Sequence, residues 1–253
     1  MLIDTHCHIH EADYPLNVDE VIARAHQAGV MQMICVGTDG ASSRRAIEFA
    51  HNNEGTFAAV GVHPHDAKGG LQELGRLIDT SDPSIVAIGE IGLDYYYDHS
   101  PRDVQIQMLE TQIELALEHD LPIIFHVREA FDDFWPVLDN FHGIRGVLHS
   151  FTDTSDNISK GLKRGLLIGI NGFSTFTKDE LQREMFASLP LDKMLLETDA
   201  PFLTPTPFRG RINEPAFVRS IAEYHSVIRR ISLGEIADTT TTNARALFRL
   251  QTD

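Results

Sequence analysis

Six side chains of metal-binding type, His6, His8, Glu90, His126, His149 and Asp199, stand at the ends of short apolar runs. The runs are Leu2–Asp4, Ile85–Gly89, Ile123–Phe125, Gly146–Leu148 and Met194–Thr198. Mixed imidazole and carboxylate ligands suit zinc, manganese or iron, and magnesium less naturally. Two divalent ions about 3.5–4 Å apart activate a water and stabilise both the attacking and the leaving oxygen of a phosphoester. A carboxylate at Asp199 could take the proton of that water while holding a metal, and Glu90 could bridge two cations through its two oxygens. The chemistry expected is that of a metal-dependent hydrolase.

Taken singly these residues say little. Strand alternation puts any i, i+2 pair on one face, so His6 and His8 alone carry no message. Glu90 alone reads as a solvated loop acid, and His126 or His149 alone as a hydrogen-bonded core histidine. Their common placement is the informative part, because five of eight expected strands end in a ligand type. A fold that gathers strand ends on one face would bring them together, as the parallel βα barrel does at the C-terminal ends of its strands.

The elements that must position them follow from the alternation of β-branched apolar runs with longer helical patterns. Strands are expected at Leu2–Asp4, Met31–Val36, Thr56–Val60, Ile85–Gly89, Ile123–Phe125, Gly146–Leu148, Leu166–Ile170 and Met194–Leu196. Several are continuously apolar, as strands covered on both faces should be. Helices are expected over Val18–Ala28, closed by Gly29, over Pro101–Glu118 behind a Ser100 cap, and over Ala216–Arg229. Ser232 and Glu235 have capping-box spacing. The four threonines at 239–242 are poor helix formers, so that last segment is expected to break into two helices. The class is α/β, an eight-stranded parallel βα (TIM) barrel with its metal site at the C-terminal ends of the strands. The 253 residues match the usual size of one such barrel, about 250 residues, so a single domain over 1–253 is expected. The proline-rich stretch Pro201–Pro207 is read as an active-site loop.

Composition narrows the classes. A chain 42% hydrophobic can bury a sizeable core, yet no apolar run approaches the roughly 20 residues of a membrane span. Met1-Leu2-Ile3-Asp4 passes straight into the histidine pair, so no signal peptide is expected. Two cysteines, Cys7 and Cys35, fit a reducing cytoplasm better than a disulfide scaffold. Cys7 lies between two candidate ligands, but alternation turns it to the opposite face. A net charge of −16 argues against a broad phosphate-gripping surface, leaving a chain end or short strand as the plausible nucleic-acid partner. No protein partner is indicated, and the oligomeric state is not readable.

At the level of motifs the chain resembles the TatD family of metal-dependent deoxyribonucleases, within the wider barrel-fold amidohydrolases. The motifs are Asp4-Thr5-His6-Cys7-His8, Gly61-Val62-His63-Pro64-His65, Gly89-Glu90-Ile91-Gly92-Leu93-Asp94-Tyr95, His126-Val127-Arg128, His149-Ser150-Phe151, Glu197-Thr198-Asp199-Ala200-Pro201 and Gly210–Pro215. The resemblance implies a divalent-metal nuclease working from a 3′ end of single-stranded DNA with two ions per subunit, Mg2+, Mn2+ or Zn2+. It implies that His6, His8, Glu90 and Asp199 hold one ion and Glu90, His126 and His149 the other, with Glu90 bridging. It further implies Asp199 as general base and His63 beside the scissile phosphate or leaving group. Two departures stand out: Glu129 where Asp is common, and His10, for which an exposed loop position is expected. Arg128, Arg209 and Arg211 fall in loops where a guanidinium could fork onto phosphate, although Arg209 fits a surface salt bridge equally well. Tyr95, Tyr96 and Tyr97 could stack on a base or pack against a neighbouring loop. The competing readings are a small-molecule amidohydrolase or lactonase of the same fold and a non-catalytic metal-stabilised scaffold. The bridging lysine of related barrels has no obvious place here, since the strand Ile123–Phe125 runs into His126.

Overall fold

The computed structural model describes residues 1–72, 74–78 and 82–250. In chain order the strands and α-helices are β1 (Leu2–Cys7), α1 (Val18–Gln27), β2 (Val30–Val36), α2 (Gly40–Asn52), β3 (Thr56–Val60), α3 (Leu74–Ile78), β4 (Ile85–Asp94), α4 (Arg102–Glu118) and β5 (Ile123–Arg128). There follow α5 (Phe131–Leu138), β6 (Gly146–Leu148), α6 (Ser155–Lys163), β7 (Leu167–Ile170), α7 (Glu180–Ser188), β8 (Met194–Leu196), α8 (Val218–Arg229) and α9 (Leu233–Phe248). The strands form one eight-stranded sheet in the order β1 to β8, the order of a parallel βα barrel. Among the described residues no helix is long and apolar enough to cross a membrane.

The chain divides into two compact units, one of residues 1–35 and 150–253 and the other of residues 36–149. In the first, β1 pairs in parallel with β2, Leu2 opposite Val30 and Cys7 opposite Cys35. β7 pairs with β8 through Ile168–Met194 and Ile170–Leu196, and a parallel bridge from Cys7 to Ala200 joins the end of β1 to the segment leaving β8. A bidentate pair ties α1 to the loop beyond β8, with Arg24 Nε 2.9 Å from both Glu214 oxygens and Nη2 2.6 Å from Oε2. In the second unit β3, β4, β5 and β6 pair successively in parallel. Every residue of β1, β4 and β8 is buried, so their apolar stretches Leu2–Ile3, Ile85–Gly89 and Met194–Leu196 run continuously rather than alternating.

The helices start where short polar side chains satisfy their first N–H groups. Asn17 accepts from Glu20 N, Asp39 from Ser42 N, Thr154 from Asn157 N and Ser232 from Glu235 N. Three expectations need correction. Ser100 does not cap α4: Pro101 is the N-cap residue, and Ser100 Oγ donates instead to the His65 carbonyl at 2.8 Å. The last helix does not break, because α9 runs through all four threonines. The hydroxyls of Thr240 and Thr242 donate to the carbonyls of Ile236 and Asp238 at 2.8 Å, and that of Thr241 to the Met1 carbonyl at 3.1 Å. Lastly, β1, β4 and β5 outlast their apolar runs, so His6, Glu90 and His126 lie within strands rather than after them.

Candidate metal centre

In the first unit the candidate ligands are brought together by backbone pairing. Asp199 N donates to the His6 carbonyl at 2.9 Å, and His8 N to the Ala200 carbonyl at 2.8 Å. Asp4 secures the arrangement from below. Its Oδ1 accepts from Thr198 N at 2.8 Å and His6 N at 3.3 Å, and its Oδ2 from Thr198 Oγ1 at 2.5 Å. Burial pushes the Asp4 carboxyl well above the usual range against the pull of those hydrogen bonds. Asp199 sits at φ 60, a left-handed conformation that Asp tolerates better than most residues. The outcome is His6 Nε2 3.1 Å from His8 Nε2, with Asp199 Oδ1 3.9 Å from the first and 3.5 Å from the second.

In the second unit one carboxylate oxygen is the hub. Glu90 Oε1 lies 2.8 Å from His126 Nδ1, 3.6 Å from His149 Nε2 and 3.7 Å from His63 Nε2. Asp94, fully buried at the end of the same strand, holds the other side of His126, its Oδ2 3.0 Å from Nε2. The same oxygen is 2.9 Å from His65 Nε2, while Oδ1 accepts from Tyr96 N and Tyr97 N at 3.0 Å. Burial opposes ionisation of Asp94, but the hydrogen bonds from His126, the Tyr97 N–H and His65 win and hold its carboxyl well down. Burial likewise opposes charge on His126, and its bonds to Asp94 and Glu90 overcome this, raising it to about 9. His63 goes the other way. Burial and the neighbouring His126 push it well below the usual value, so it is neutral near pH 7. Its Nδ1 accepts from His65 N at 3.2 Å, leaving the proton on Nε2, the nitrogen that faces Glu90. The close approach of β4 to β5 at this point depends on Gly92, where any Cβ would collide with the His126 carbonyl.

The donor atoms fit metal ions. Bonds of about 2.0–2.1 Å to one ion place neighbouring ligand atoms about 2.9–3.4 Å apart, the range into which His6–His8 and His126–Glu90 roughly fall. His63, Glu90 and His126 together offer ligand atoms within 4.8 Å of one another. If His126 gives Nδ1 to an ion, Asp94 on Nε2 fixes the required tautomer, a usual partner for a ligating histidine.

The remaining expectations divide. Arg128 is exposed at the end of β5, its Cζ 4.1 Å from the Tyr96 ring centroid and 4.8 Å from that of Tyr97. Tyr95 packs elsewhere, under Arg102 and with its hydroxyl 2.7 Å from Asp133. Arg209 lies 3.8 Å over Phe176 and donates to the Thr204 carbonyl, whereas Arg211 is 5.5 Å from Phe208. His10 is buried, not exposed, 3.3 Å from Glu11. Glu129 is exposed with φ 53. Cys7 Sγ donates to the Ile34 carbonyl at 3.5 Å. Spacing alone does not single out Asp94, His65 or Asp4. The one signal for Asp94 is its even separation from Glu90 along one strand, which places the two on one face.

The profile of the TatD related DNases matches residues 3–249. The chain belongs to the TatD family. The metal-dependent hydrolase YabD of Bacillus subtilis is 38% identical over 254 residues, covering 99% of this chain and 100% of YabD. The 3′-5′ ssDNA/RNA exonuclease TatD of Erwinia tasmaniensis is 37% identical over 92% of this chain and 93% of its own length. The crystal structure of the TatD homologue YJJV of Escherichia coli superposes with a TM-score of 0.91 at 31% identity, covering 99% of this chain and 98% of that one. As a TatD protein the chain is a metal-dependent hydrolase with the eight-stranded parallel βα barrel as its fold class.

Proposed function

We propose that this TatD protein hydrolyses phosphodiester bonds of single-stranded DNA, removing nucleotides in the 3′-5′ direction. The observation that carries the reading is the set of three imidazole nitrogens, from His63, His126 and His149, around one oxygen of a buried glutamate. The exonuclease name of the Erwinia relative supports DNA or RNA ends as the substrate. His6, His8 and Asp199 are proposed as ligands in one unit and Glu90, His126 and His149 in the other. Together they would hold two divalent ions, Mg2+, Mn2+ or Zn2+, with Glu90 bridging. Bound ions would supply an acidified water and charge stabilisation for the phosphoryl oxygens.

The chain's own groups do the rest. Asp199 accepts the proton of the attacking water. His63, neutral and carrying its proton on Nε2, donates a hydrogen bond to the phosphate or the leaving oxygen. Arg211 is proposed to contact a phosphate farther along the strand. Two buried free thiols, Cys7 and Cys35, favour a reducing, cytoplasmic setting. The test is nucleotide release from 3′-labelled single-stranded DNA by metal-stripped protein resupplied with magnesium, manganese or zinc. Release restored by metal and missing in Asp199→Asn is expected. Silence with every ion, alongside turnover of a lactone or cyclic amide, would make the chain a small-molecule hydrolase instead.

A further inference from the structure

Beyond the hydrolytic residues, the segment leaving β4 displays aromatic surface that the chemistry above does not use. Tyr96 and Tyr97 are 55% and 49% exposed, although the backbone beneath them is fixed by two hydrogen bonds to the buried Asp94. Their rings meet edge to face at 4.8 Å and 89°. The Arg128 guanidinium lies over both rings and makes no ion pair among the described residues. His99 lies parallel to Tyr97 at 5.7 Å and 4°, held by the Lys68 amine on its carbonyl at 3.3 Å. Tyr97 also touches His65, ring centroids 5.3 Å apart, and His65 shares Asp94 with His126. A continuous series of contacts therefore runs from the exposed tyrosines to the Glu90 hub.

Rigidly held π-faces beside an unneutralised cation are what a nucleotide needs: a base stacks on the ring and its phosphate meets the guanidinium. The charge balance of the chain sharpens the point. A net charge of −16 argues against a broad basic surface as the source of affinity, which gives stacking a larger share. Within the platform the roles differ. Arg128 lies against both rings, but Tyr97 also has His99 and His65 against it, whereas Tyr96, the more exposed ring, is the one offered to a base.

We propose that Tyr96 and Arg128, backed by Tyr97 and His99, form a stacking subsite for a nucleotide flanking the cleaved bond of a single-stranded nucleic acid. The subsite rests on the phosphodiesterase reading. It selects for strands whose bases are unpaired and free to stack, and it discriminates little among the four bases.

The experiment compares a fluorescein-labelled single-stranded oligonucleotide with one carrying three abasic residues at its 3′ end. Binding is followed by anisotropy with full-length Asp199→Asn protein and manganese. The intact strand is expected to bind about 5- to 100-fold more tightly. Adding Tyr96→Leu, which keeps apolar bulk without the π-face, should erase that preference, whereas Arg128→Gln should weaken both strands alike. Equal binding of the two strands by the Asp199→Asn protein, or a preference that survives Tyr96→Leu, would overturn the subsite. Turnover of methyl p-nitrophenyl phosphate separates the two ideas. Tyr96→Leu alone should leave its kcat/KM unchanged, and a wild-type protein that cleaves neither this diester nor DNA would defeat the phosphodiesterase reading while the strand preference still judged the platform.

Discussion

Asp94 divides its carboxylate between two tasks. One oxygen receives the backbone of Tyr96 and Tyr97, the other the imidazoles of His65 and His126. Replacing it with Asn keeps an oxygen for the backbone and removes the charge that holds the His126 tautomer. Asp94→Asn should therefore fold normally yet bind manganese or zinc about 10- to 100-fold more weakly, as read by equilibrium dialysis. An unchanged dissociation constant would leave His126 oriented by Glu90 alone. Asp4 works by a different route, through the buried N–H and hydroxyl of Thr198. Asp4→Ala strands those donors and should lower the urea unfolding free energy by about 1–3 kcal/mol. The type and order of the candidate ligands are legible in the sequence because each ends an apolar run. Their supports are not. Asp94, Asp4 and His65 act through side-chain hydrogen bonds that join positions 29 to 194 residues apart, a reach no local pattern records. His10 escapes a sequence reading for a related reason, since a polar residue past a strand end looks exposed until its neighbours are known.

The strands and helices set how closely these groups approach. Gly92 has φ 152 and no space for a Cβ beside the His126 carbonyl, so the last turn of β4 can press against β5 only with glycine there. Gly92→Ala should cost more than about 4 kcal/mol, the range reserved for severe single changes, or leave the protein insoluble on expression. In α8, His225 is fully buried and bonded to Ser174 Oγ at 3.0 Å. Burial, with the nearby Arg229 charge, pushes its pKa down to about 3. The unfolded chain takes up a proton near the ordinary 6.5 while the folded one stays neutral. Stability is thus intact above pH 6.5 and falls toward pH 3, by at most about 1.4 kcal/mol per pH unit. Chemical denaturation of His225→Gln should show a shallower loss than wild type across that window; parallel curves would mean His225 is not held neutral. Strand positions are readable from continuous apolar runs, but strand ends are not, because β4 and β5 continue through polar ligands. Nor can helix propensity foresee α9, whose threonine hydroxyls turn to carbonyls within the helix and at Met1.

At the scale of the molecule, we propose that residues 1–253 act as one domain. Calorimetry should show a single unfolding transition, and two resolved endotherms would instead follow the boundaries after residues 35 and 149. Metal at about 100 times its dissociation constant should add about 2.7 kcal/mol, a rise in Tm of about 5–10 °C for a chain of this size, reversed by a chelator. A Tm indifferent to chelation would speak against tight binding to the native state. The division into units also has a bearing on how the protein is made. The unit of residues 36–149 is continuous in the chain, and His63, Glu90, His126 and His149 are all synthesised by residue 149. His6 and His8 are translated before that unit, yet their carboxylate partner Asp199 follows His149 by 50 residues. At about 5–20 residues per second, that partner follows the completed set of residues 63–149 by roughly 3–10 s, a delay in which the first metal to arrive meets one half of the ligands before the other.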